Sequence, residues 1–218
     1  MSQCAGNRPR RKTCPAELKV IYFVLMNTKR QALPAFGKKQ VEILGRLFDL
    51  AREVTADHFR LGEQEILGLP LELRTLASLD KDEIRPAGIL ADICRYQYQD
   101  RTFGRRRDLF RVNIQDHNIL TLLKSRGGLR SFSPLLLYVL THELVHVVRF
   151  VKYLAFFHLD EARRPEEERR VHEITQNILR YVPLRGMGAV LDFYQPLARA
   201  DQGPAEQALR KHFPSGAV

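Results

Sequence analysis

Cysteine is scarce in this chain: Cys4, Cys14 and Cys94 are the three that its 218 residues contain. Sulfurs this few and this unevenly spaced build neither a disulfide framework nor a paired C-x-x-C metal knuckle. Disulfide-stapled folds and cysteine-ligated zinc ribbons are therefore excluded, and a reducing, cytoplasmic setting is the expectation. Secretion is not the expectation either. Leu18–Met26 is apolar, yet no small-residue cleavage site follows it, and it runs into Asn27-Thr28-Lys29-Arg30 instead. It is far shorter than the about 20 residues a membrane-crossing helix needs, so it reads as a buried strand or short helix and no membrane is expected. No internal repeat is visible, and no aromatic-interleaved basic motif accompanies the positive charges.

Charge of one sign, by contrast, is plentiful. Lys and Arg number 35 against 25 Asp and Glu, a formal net charge of +10. Such a surplus attracts polyanions at low salt while saying nothing about fold. Nucleic acid is therefore kept as an alternative partner, carried by Arg8, Arg10, Arg11, Lys12 and the run Arg105-Arg106-Arg107, though without a reading motif. Residues 1–15 have almost no large apolar side chains and read as a disordered basic arm. Residues 200–218, broken by Gly203, Pro204, Pro214 and Gly216, read as a loosely ordered tail. Between them, 16–199 is long enough for one core of ordinary size.

The most informative stretch is Ser133–Phe157, SPLLLYVLTHELVHVVRFVKYLAFF. Ser133 suits a helix N-cap and Pro134 the first helical position, where a missing N–H costs nothing. The spacing predicts one buried helix carrying His142, Glu143 and His146 as H-E-x-x-H. Residues four apart project from one face, so two imidazoles can meet one ion, with Glu143 beside the open position. The neighbouring Leu144, Val145, Val147 and Val148 are apolar, as expected where the ligands are the only polar groups of a buried helix. This is the zinc peptidase arrangement, with one Zn2+ per chain and Glu143 as the base acting on water.

Two histidines leave the coordination incomplete. Downstream, Arg164–Leu179 opens with Pro165 and acids in its first turn and carries Val171, Ile174 and Ile178 as a helical stripe. Glu168 precedes Val171 by three and His172 by four, which places it on the inward edge and makes it the expected third ligand. Glu166, Glu167, His172 and Glu173 are its competitors, with His172 either an alternative ligand or a neighbour that hydrogen-bonds one. Tyr181 and Tyr194 are candidate donors to the developing oxyanion.

With these residues in hand, the chain resembles the HExxH zincins, and among them the minimal gluzincins, whose third ligand is a glutamate on a later helix. The likeness is carried by THELVHVV and EERRVHEITQNIL, the latter similar to an E-x-x-A-N-x-F-A helix in which Val171 and His172 stand where Ala and Asn are usual. It implies His142, His146 and Glu168 as ligands, Glu143 as the base, and a peptide or protein as substrate. It also implies a strand ahead of the metal helix that holds extended peptide. Leu109–Ile114 alternates as an edge strand should, which makes Arg111, Val112 and Asn113 the substrate-binding candidates.

Elsewhere, Lys38–Phe59 has Val41, Leu44, Leu47, Phe48, Ala51 and Val54 at helical spacing. Asp92–Tyr98 reads as the end of a helix starting near Pro86, His117 as a surface residue, and Gly188–Tyr194 as a last packed segment. The class that follows is α+β: a helix-rich, zincin-like domain with a small sheet packed against the metal-binding helix. Oligomeric state has no signature in these residues.

Overall fold

A computed structural model describes residues 33–99, 106–124, 131–152 and 164–199. Residues 1–15, the Leu18–Met26 stretch, Arg105, residues 153–157 of the Ser133–Phe157 stretch and residues 200–218 lie outside the described residues. Six α-helices and three strands follow in the order α1 (Lys38–Phe59), α2 (Glu63–Leu67), β1 (Leu71–Arg74), β2 (Ala91–Gln99), β3 (Arg106–Ile114), α3 (Asp116–Lys124), α4 (Phe132–Lys152), α5 (Arg164–Leu179) and α6 (Met187–Arg199). The fold is α+β, helix-rich with one small mixed sheet, as the sequence pattern leads one to expect.

Helix α4 is the element around which the others pack. Leu135, Leu136, Leu137, Leu140, Leu144, Val145, Val147 and Val148 are all at most 1% exposed, so the helix is apolar on nearly every side. Its length and its mean hydropathy of 1.4 would serve a membrane span, yet 78% of that stretch is covered by the rest of the fold. Each fully buried leucine contributes about 1.5–3 kcal/mol, which makes this helix the largest apolar contribution to stability. It is packed by α1, α5 and α6 and by strand β2. Its start falls slightly earlier than Ser133: the Ser131 carbonyl accepts from Leu135 N at 3.4 Å, and Pro134 sits third in the first turn. Proline is tolerated there because the first four N–H groups of a helix have no intrahelical acceptor. Gly186, at φ +93°, turns the chain between α5 and α6 where a Cβ would come within 3.0 Å of Ser131 Oγ.

The sheet has the order β1-β3-β2, with β1 parallel and β2 antiparallel to β3. Leu71 pairs with Phe110 and Ala91 with Ile114. Strand β3 is therefore central, which overturns its reading as an edge strand. Alternation in one strand reports which faces are buried, but carries no information on how many neighbours it has. Asp92–Tyr98 is likewise corrected from helix to strand β2. Its polar–apolar alternation and its tyrosines are β-favouring, and pairing with β3 uses the backbone groups that a helix would have satisfied internally. His117 is not at the surface: it is 8% exposed, with Nε2 3.1 Å from the Arg85 carbonyl oxygen.

One face of the sheet packs into the apolar core, with Phe110 stacked on Phe150 of α4 at 6.0 Å. On the other face the Arg111 guanidinium donates to Glu72 at 2.8 Å and to the Tyr96 hydroxyl at 3.0 Å. Glu83, 1% exposed, accepts from Tyr96 Oη and from Asp80 N, both at 3.0 Å. Burial pushes the Glu83 carboxyl up, but the Asp80 amide, the Tyr96 hydroxyl and the Arg111 charge together hold it below its usual value of 4.5.

Two outcomes follow from this packing. Leu140→Ala leaves a cavity in the middle of α4 and should cost about 3 kcal/mol, read as a lower urea midpoint with unchanged slope. Glu83 ionises more readily folded than unfolded. Its contribution is present above the unfolded value of 4.5 and is lost as pH falls through the folded one. Urea midpoints between pH 6 and pH 3 should therefore fall less steeply for Glu83→Gln than for the parent, and parallel slopes would assign the acid sensitivity to other carboxylates.

Candidate metal centre

On α4, Tyr138, His142 and His146 recur every four residues and share a face; on α5, Glu168 and His172 do the same. The two rows face one another. The Glu168 carboxylate lies between the histidines, with Oε2 3.5 Å from His142 Nε2 and Oε1 3.4 Å from His146 Nε2. His172 packs against His142 with ring centroids 4.4 Å apart. The helices run antiparallel, since the start of α5 meets the later part of α4. Glu143, one residue round from His142, also faces the cavity and is 8% exposed.

The cavity these groups line measures about 130 Å³. It is lined by His142, Glu143, His146, Glu168 and His172, by Gly88–Ile93 entering β2, and by the largely apolar Leu122, Val139, Phe193, Tyr194 and Leu197. No lysine or arginine occurs among the described residues that line it. Burial acts against the charged form of Glu143, His142, His146, Glu168 and His172 alike, and the neighbouring charges decide which way each one moves. It pushes Glu143 up to about 8, with Glu168 and Asp92 adding to the rise and His146 opposing it. It lowers His142 and, with His142 beside it, takes His172 well below the ordinary imidazole range. His146 goes the other way, because the Glu168 carboxylate outweighs burial. Glu168 itself is held well below the usual carboxylate range: burial opposes ionisation, and the facing His146 and His142 overcome it.

The donor chemistry fits a divalent cation with nitrogen and oxygen ligands. Two imidazole Nε2 atoms and a carboxylate converge, and within the cavity no fixed cation neutralises the carboxylate. His142, Glu168 and His172 each offer one donor atom within 4.8 Å of the others. That set has His172 in the place of His146, whose Nε2 nevertheless lies as close to Glu168 as that of His142. The H-E-x-x-H histidines share the same carboxylate, His142 facing one of its oxygens and His146 the other. The Nδ1 atoms of His142 and His146 are buried without a hydrogen-bond partner among the described residues, so nothing competes with Nε2 for orientation and nothing reinforces it.

Of the competitors for the third position, Glu167 is taken by Arg149 in a two-pronged pair at 2.5 and 2.7 Å. Glu173 is 57% exposed and lies 3.7 Å from Arg169, and Glu166 is exposed. Tyr194 reaches the cavity wall and stacks on Tyr138 at 4.2 Å. Tyr181 does not: it is 81% exposed in the turn after α5, which removes it as an oxyanion donor. Arg111, Val112 and Asn113 also lie away from the cavity. The Arg111 guanidinium is occupied by Glu72 and Tyr96, and Val112 and Asn113 are at most 2% exposed within the central strand. The residues that sequence reasoning missed are Tyr138, Asp92 and the Gly88–Ile93 wall. Tyr138 carries a signal in hindsight, standing one turn before His142.

No family model, characterised protein or solved structure matches the chain. The reading of the site therefore rests on its geometry. Glu168→Ala should weaken zinc binding by about 10–100-fold or more, while Glu166→Ala leaves it unchanged. Competition titration against a fluorescent zinc chelator measures both, and equal losses would remove Glu168 from the ligand set.

Proposed function

We propose that this protein is a zinc-dependent peptidase in which His142, His146 and Glu168 hold one Zn2+ and Glu143 is the general base. The observation that carries the proposal is the seating of Glu168 between His142 Nε2 and His146 Nε2, at 3.5 and 3.4 Å, with Glu143 on the same cavity. Bound there, zinc would lower the pKa of a water ligand to about 7 and polarise a substrate carbonyl. Burial raises the Glu143 carboxyl in the metal-free protein, and the charge of a bound zinc would bring it back to the ionised form, in which it accepts a proton from the attacking water and returns it to the leaving amine, so one helical turn supplies two ligands and the base. The low-dielectric cavity strengthens each of these interactions, because little bulk water competes for them.

An extended peptide has a ready partner in β2. Its far side is unpaired in the sheet among the described residues, and Ala91, Asp92 and Ile93 line the same cavity as Glu143. A substrate strand added to that edge lays its scissile bond beside the base while its backbone groups complete the ladder. The expected peptide-holding strand is thus β2, not β3. A polyanion reading gains no support at this cavity, where no lysine or arginine is found among the described lining residues.

Zinc-loaded protein incubated with a casein digest, followed by mass spectrometry, should yield new peptide termini that disappear with a chelator. Glu143→Gln should retain stoichiometric zinc and lose turnover by about 10²–10⁴-fold, because the amide is nearly isosteric but cannot take the proton. His142→Ala and His146→Ala should lose the metal itself, read by elemental analysis. Undiminished cleavage by Glu143→Gln would show that this carboxylate is not the base.

A further inference from the structure

The interleaving of α4 and α5 continues one step beyond the proposed ligands. Glu168 fills the gap between His146 and His142, and His172 fills the next one, between His142 and Tyr138. The Tyr138 hydroxyl lies 2.8 Å from His172 Nδ1. Tyr138 is 2% exposed, so its O–H proton cannot be given to bulk water and needs an acceptor inside the fold. Among the described residues His172 Nδ1 is the only hydrogen-bond partner of that hydroxyl.

A neutral imidazole has one N–H and one lone-pair nitrogen, and the bond made by one nitrogen determines the state of the other. If Tyr138 donates to Nδ1, that atom supplies the lone pair and Nε2 carries the hydrogen. A protonated nitrogen has no lone pair for a metal, but it can donate to an oxygen. His172 lines the cavity beside His142 and Glu168, where an oxygen of a peptide carbonyl would gain negative charge.

We propose that Tyr138 is a positioning residue that holds His172 in the tautomer with its hydrogen on Nε2, making His172 a donor to the substrate oxyanion and not a metal ligand. The proposal rests on the peptidase reading for its substrate, but not for the tautomer. The phenol ring of Tyr138 is fixed independently by its stack on Tyr194 at 4.2 Å, so removing the hydroxyl leaves the ring packing in place.

The test combines a spectrum, a titration and a rate. In protein labelled with 15N-histidine, long-range 1H–15N correlations should place the His172 hydrogen on Nε2, with and without zinc. Tyr138→Phe should lose that preference while its other histidine signals persist. Zinc affinity should be unchanged in Tyr138→Phe and His172→Ala. On a quenched-fluorescent peptide taken from the casein cleavage sites, His172→Ala should lower kcat about 10²–10³-fold with KM little altered. Tyr138→Phe should lower it about 10–100-fold, and His172→Gln, which keeps an N–H donor, should recover part of the loss. A hydrogen on Nδ1, or a drop in zinc affinity for His172→Ala comparable to that of Glu168→Ala, would overturn the proposal and make His172 a ligand. If the parent cleaves no peptide, the donor role falls with the peptidase reading, while the metal-free spectrum still decides the tautomer.

Discussion

The cost of burying an ionised carboxylate between two helices is the constraint on which the rest of this structure depends. An isolated carboxylate in a low-dielectric interior neutralises or finds a partner. Here the partner of Glu168 is the pair His142 and His146, and no lysine or arginine within the cavity relieves it. Such a site holds together only if α4 and α5 keep their register, because a shift of one residue turns each side chain about 100° away from its partner. The apolar packing of α4 supplies that register. With its leucines and valines buried on nearly every side, the helix is locked by α1, α5, α6 and the sheet, and the polar row is carried along on the remaining face.

On the outer face of the sheet Glu83, Tyr96, Arg111 and Glu72 satisfy one another through hydrogen bonds of ordinary length, an arrangement suited to holding β-strands in place. In the cavity, by contrast, the Nδ1 atoms of both proposed histidine ligands are unpaired among the described residues, and Glu143 is pushed towards its neutral form. Buried side-chain atoms without a partner among the described residues also occur away from the cavity, at Thr55, Asn113 and His117, so the metal proposal rests on the approach of the His142 and His146 Nε2 atoms to the Glu168 carboxylate.

The two sheet corrections share a cause. Arg111, Val112 and Asn113 have the alternation of a half-buried strand, and they are in one, but strand order arises from contacts between segments distant in sequence. Leu71–Arg74 is too short to announce itself, and its pairing with β3 leaves β1 and β2 as the edges of the sheet. Tyr181 fails for a related reason: it stands two residues past the end of α5, where helical phase no longer governs direction, and the turn sends it to solvent.

What the sequence determined by itself is whatever depends on spacing within one helix. The four-residue recurrence that puts His142 and His146 on one face, the adjacency of Glu143, and the phase that ranks Glu168 above Glu166 and Glu167 all follow from 3.6 residues per turn. Helix α1 and the helix-rich α+β class were legible for the same reason, as periodic patterns long enough to read. Only the tertiary structure decided which strand borders the cavity, that Tyr194 reaches it while Tyr181 does not, and that Tyr138 meets His172. Those facts depend on how α4, α5, α6 and β2 are placed against one another, and that placement is set by the shape of a shared core, which no local pattern encodes.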